Sequence, residues 1–108
     1  TLTRHLTAHI RAQVRRRGDR ILEHAFRNEA LRNARLAAIS QIPQARTLTT
    51  IAAFLSRCGS SDPDADAQIL FGFILSLEYQ VLLGAVDETL IERSVGRLAR
   101  HVLGVADS

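Results

Sequence analysis

His5 and His9 stand one helical turn apart and are the first residues in the chain whose types and spacing could do chemistry. At i, i+4 on a helix they face the same way and could share a metal ion, which asks for three or four His, Cys, Asp or Glu ligands. No carboxylate and no third histidine stands near them in the sequence, and the pair falls on the flank of an apolar stripe. A partly exposed pair is the expectation, with no metal and no other cofactor. His24 and His101 stand alone. Cys58 lies beside Gly59 without the histidine or acid that marks a nucleophile, so it reads as inert. The chain has no HExxH, CxxC or GxSxG motif and no glycine-rich phosphate cradle. Nothing here argues for an enzyme.

Glu78 is the more informative charge, because of where it sits. The stretch DADAQILFGFILSLEYQVLLG, Asp64 to Gly84, reads as one long helix that is apolar on too many sides. Ala67, Leu70, Ile74, Leu77 and Val81 form one stripe, and Phe71, Leu75 and Leu82 a second. Ala65, Ile69, Gly72, Ser76, Tyr79 and Leu83 form a third face of mostly small residues. A single-domain core covers one stripe or two. The third asks for a ligand cavity, a second subunit, or both, since each large apolar side chain left wet forfeits roughly 1.5–3 kcal/mol. Glu78 falls between the first two stripes, where a carboxylate is costly unless paired. It faces a cationic or hydroxylated ligand, pairs with an Arg of the same subunit, or reaches the rim. Phe26, Phe54, Phe71 and Phe73 stand at helical spacing, which usually means core; the other reading is that some of them line a mainly apolar small-molecule cavity between helices.

The elements that must position these residues are helical. The chain has 108 residues, two prolines, six glycines and no alternating β-branched pattern, which predicts one all-α domain, an irregular bundle of five or six helices. The first spans Leu2–Arg17, with Leu2, Leu6, Ile10 and Val14 inward. Gly18 punctuates, Asp19 caps, and the second helix runs Arg20–Asn33, with Ile21, Leu22, Ala25 and Phe26 as its buried candidates. Ala34–Gln41 follows until Pro43 ends or kinks it, then Gln44–Arg57, with Leu48, Ile51, Ala52 and Leu55 inward. Asp62 or Asp64 caps the long helix. Asp87 caps the last, which ends near Gly104, its stripe being Ile91, Val95, Leu98, Val102 and Val105. There Glu88 and Glu92 come early and Arg97 and Arg100 late, as the helix dipole prefers.

The lone cysteine fits a reducing compartment. No signal peptide or spanning segment is visible, so no membrane is expected and the cytoplasm is the default. Thr1 is not a translation start, which points to a piece of a longer protein. Eleven arginines and three acids precede Cys58, whereas three arginines and eight acids follow it. Arg15, Arg16 and Arg17 could touch phosphate, although a short charge run more often ends a helix in solvent.

The run DPDADAQILFGFILSLEYQVLLGAVDETLIERSVGRLARHVLG resembles the C-terminal part of TetR-family (tetracycline-repressor-like) transcriptional regulators. The resemblance rests on an Asp-Pro turn, a long apolar helix with a central glycine at Gly72, and a final amphipathic helix ending in Leu-Gly. Upstream, EALRNARLAAI is similar to the family's Asn-Pro-x-Leu turn, with Ala34 in the proline's place. The resemblance implies a regulatory domain over residues 1–108 whose last two helices pair with a second subunit as a four-helix interface. It implies a homodimer, a pocket for an unknown small, largely apolar effector, and operator DNA bound only through an N-terminal helix-turn-helix domain that this chain lacks. The pocket positions expected on this basis are Leu22, Phe26, Leu48, Phe54, Phe71, Leu75, Glu78 and Leu82. The dimer positions are Ile69, Gly72, Ser76, Tyr79, Leu83, Leu90, Ser94, Val95 and Leu98.

Two other readings predict different behaviour. A helical protein–protein interaction module without a small ligand would be a monomer that needs a different chain. Nucleic-acid binding through the arginine-rich half would show steep salt dependence.

Overall fold

Each helix of the computed structural model, which describes residues 2–84 and 87–103, begins and ends for a local reason. The helices are α1 (Leu2–Arg15), α2 (Arg17–Ala30), α3 (Ala34–Arg57), α4 (Pro63–Leu82) and α5 (Glu88–Arg97), the last running into a π-helical turn at Leu98–Val102. No strand occurs among the described residues, so the fold is all-α as expected. The side chains of Leu2, Val14, Glu88 and Val102, and the residues Gly104 and Val105, lie outside the described residues.

Asn33 starts α3 by accepting from the backbone N–H groups of Arg35 and Leu36 at 3.1 and 3.2 Å, which meets two of the free donors at a helix start. Asp62 starts α4 the same way, accepting from Ala65 N–H at 3.2 Å, with Pro63 at the first helical position, where its missing donor costs nothing. Asp87 accepts from Leu90 N–H at 2.8 Å to start α5. The end of α3 is closed by Gly59 at φ +95°. Its N–H donates to the Ser56 carbonyl and that of Ser60 to the Leu55 carbonyl, the pairing that a left-handed glycine permits.

Two boundaries differ from expectation. The first break falls at Arg16, which has no side-chain cap, so α2 begins at Arg17 and carries Gly18 and Asp19 in its opening turn. Asp19 still favours the positive end of the helix from there. Pro43 neither ends nor divides α3, which runs unbroken for 24 residues. Proline removes one intrahelical bond, to the carbonyl of Ile39. Both residues lie on the exposed side, where water can serve that carbonyl.

The core joins Leu6 and Ile10 of α1, Leu55 of α3, Ala67, Leu70 and Leu77 of α4, and Ile91 and Val95 of α5. Leu98, Ala99 and Leu103 extend it through the π-turn. The first stripe read on α4 is therefore the one that meets the core, with Ile74 and Val81 packed at its edge. The pairing of α3 with α4 is the most extensive in the chain.

No residue of α2 is buried. Ile21, Leu22, Ala25 and Phe26, expected inside, are all exposed, Leu22 at 72%. The helix is turned so that its charged side faces α4.

Candidate functional site

Arg20, Glu23, His24 and Arg27 recur at helical spacing along the inward side of α2. Glu78 meets them from α4 at 1% exposure. Its Oε1 accepts from Arg20 Nε at 2.6 Å and lies 2.9 Å from His24 Nε2. Arg20 also pairs with Glu23, and Glu23 accepts from Arg27 at 3.1 Å. The guanidinium of Arg27 stands over the Phe71 ring, 5.5 Å from its centroid. Arg17 donates to the Leu82 carbonyl at 2.7 Å. Of the alternatives for Glu78, the structure places an Arg of the same chain against it. A carboxylate this far from water is tolerable because a cation at hydrogen-bond distance replaces the lost solvation.

This lattice forms one wall of a cavity of about 520 Å³ between α1, α2, α3 and α4, within the usual range for small-molecule sites. Leu6, Ile51, Phe54, Leu70, Phe71, Ile74 and Leu75 make its apolar surface. His5, His9 and Gln13 come from α1 and Arg57 from the end of α3. The His5 and Phe54 rings meet edge to face at 6.4 Å, and Arg57 lies over Phe54 at 5.9 Å. Gln13 Oε1 and Arg27 Nε are buried without a hydrogen-bond partner among the described residues. No metal-holding group of three or more His, Cys, Asp or Glu forms among those residues.

Of the expected pocket positions, Phe54, Phe71, Leu75 and Glu78 line this cavity. Four do not. Leu22 points to solvent, Leu48 packs against the core, Phe26 lines a smaller recess with Ile39 and Pro43, and Leu82 lines a recess with Ile21, His24 and Tyr79. The outward turn of α2's apolar side accounts for Leu22 and Phe26. Arg20, Glu23, Arg27, Arg57, His5, His9 and Gln13 were not expected at a pocket. For Arg20, Glu23 and Arg27 the signal was a charged stripe on α2 at the spacing usually searched for in apolar residues.

On the far side of α4, Ile69, Gly72, Ser76, Tyr79 and Leu83 are exposed, and a Cβ added at Gly72 would meet nothing within 4 Å. Leu90 is exposed and Ser94 half-buried on α5. Val95 and Leu98 are corrected: they lie buried in the core of their own chain and leave no surface for a partner. His24 packs on the Tyr79 ring at 5.9 Å, so the polar lattice adjoins the exposed face. No helix among the described residues is long and apolar enough to cross a membrane.

No curated protein and no solved structure matches the chain. A protein family does match it, over residues 1–105, and its description is "Tetracyclin repressor-like, C-terminal domain".

Proposed function

Because this chain belongs to the tetracyclin repressor-like, C-terminal domain family of transcription regulators, we propose that it binds a small effector and joins two subunits. The observation that carries this reading is that one helix serves both tasks. α4 contributes Phe71, Leu75 and Glu78 to the cavity and turns Ile69, Gly72, Ser76, Tyr79 and Leu83 outward. An exposed glycine and serine one turn apart let a second helix approach closely, and the surrounding apolar surface drives association. The partner is a second copy of this chain, with α4 and α5 of each forming a four-helix interface.

The mechanism is a shift of population. An effector that fits one arrangement of α2 and α4 better than another favours that arrangement by its difference in affinity. The change reaches operator DNA as an altered separation of two reading heads, which half-site spacing detects. The protein works in the cytoplasm and binds its ligand without transforming it.

Sedimentation equilibrium tests the seam. The native chain is expected as a dimer in the micromolar range, and Gly72→Leu as a monomer of unchanged helix content, since Gly72 has open space around it within its own chain. A native monomer at those concentrations, or a Gly72→Leu variant that dimerises equally well, would refute the proposal. A native monomer would instead favour the interaction module that needs a different partner.

A further inference from the structure

The geometry points to a single-charged anion with an apolar body, a carboxylate on a hydrocarbon or aromatic frame, as the ligand of the cavity between α1, α2, α3 and α4. This deepens the reading of that cavity as an effector site and rests on it. Both acids on the wall are already engaged: Glu78 by Arg20, and Glu23 by Arg20 and Arg27. They leave no carboxylate to receive a cationic ligand. The threonines are engaged as well. The hydroxyl of Thr47 donates to the Pro43 carbonyl at 3.0 Å and that of Thr50 to the Arg46 carbonyl at 3.0 Å, so neither has its proton free to offer a ligand.

Arg57 differs from every other arginine on the wall. It is exposed at the rim, has no carboxylate partner among the described residues, and rests against the Phe54 ring. Two arginines and two acids cancel in the α2–α4 lattice, and Arg57 is the charge left over. A guanidinium over an aromatic face at the edge of a concave, largely apolar site fits a carboxylate by charge and by its forked geometry. Arg27 Nε adds a buried donor without a partner among the described residues, and the rest of the wall is mostly hydrocarbon, with His5, His9 and Gln13, whose Oε1 is also unpartnered there, coming from α1. At about 30 Å³ per non-hydrogen atom, the share of one water in the liquid, the space holds on the order of 17 such atoms.

Calorimetric titration with three probes of equal chain length, decanoate, 1-decanol and decylamine, tests the assignment. The expected result is decanoate binding at least tenfold tighter than the other two. Arg57→Ala lowers decanoate to the level of decanol and leaves decanol unchanged. Thr50→Trp, which places bulk at the exposed rim without touching the core, removes binding of all three. Circular dichroism of both surface variants verifies that they remain folded. Equal binding of decanol, or tighter binding of decylamine, with sensitivity to Thr50→Trp, overturns the anionic class and leaves the cavity reading standing. Failure of all three probes to bind, or binding indifferent to Thr50→Trp, overturns the cavity reading and the ligand class with it.

Discussion

Replacing Glu78 by Gln keeps the side chain's shape and removes its charge. Arg20, at 11% side-chain exposure, then loses its ionic partner on α4 and retains only Glu23. Breaking a buried pair by removing one partner costs about 3–5 kcal/mol. Glu23 stays beside Arg20 and the glutamine oxygen still accepts a bond, which brings the expected loss to about 2–3 kcal/mol. For a domain of this size, where 1 kcal/mol moves the midpoint about 4–8 °C, thermal melting followed by circular dichroism should fall by about 10–20 °C. A cycle with Arg20→Met and the double variant should give a coupling of at least about 1 kcal/mol. Glu92→Gln is the control: Arg11–Glu92 is as short, 2.8 Å, but its side chains are 38% and 54% exposed. That change should cost under about 1 kcal/mol, because water screens the pair. If Glu78→Gln melts within about 3 °C of the native chain, or the cycle shows no coupling, then the charge pair does not hold α2 in place.

Urea titration should separate the true core from the outward side of α2. Leu55→Ala, at 0% exposure, is expected to cost about 2–5 kcal/mol, and Leu22→Ala to stay within about 0.5 kcal/mol. Asn33→Ala removes the two cap bonds of α3 and should cost about 0.5–2 kcal/mol, read from the same titration. Gly72→Ala should have opposite effects at two levels. Measured at low concentration it stabilises the single chain by about 0.5–1 kcal/mol through helix propensity, and by sedimentation it weakens self-association at least tenfold. A stabilised variant that associates as before would place the dimer contact elsewhere.

The three faces of α4 were legible from spacing because 3.6-residue periodicity is strong in a long apolar run. Its stripe of Ala67, Leu70 and Leu77 meets the core, its Phe71 and Leu75 stripe lines the cavity, and its small-residue face stays outside. Caps were legible too, since Asp62 and Asp87 act through local backbone geometry. The direction of α2 was not. Amphipathic spacing states that a helix has two sides and leaves open which one goes in. The inward side of α2 is the one whose Arg20 meets Glu78, 58 residues away, a long-range pairing that no local window contains. The same limit explains α5: Leu90 and Ser94 lie one stripe over from Ile91 and Val95, and only packing against α1 decides which stripe is interior. Of the four pocket positions displaced, Leu22 and Phe26 depended on α2 and Leu82 on the outer end of α4, while Leu48 on α3 packs against the core instead.

A helix with no interior side chain can change its tilt without opening a void in the molecule. α2 is fastened by directional polar contacts and adds no buried side chain to the core that holds Ile10, Leu55, Leu70 and Val95. Two kinds of cohesion are thereby divided between different parts of one short chain. An oily interior among α1, α3, α4 and α5 keeps the shape, while an ionic hem ties α2 to α4.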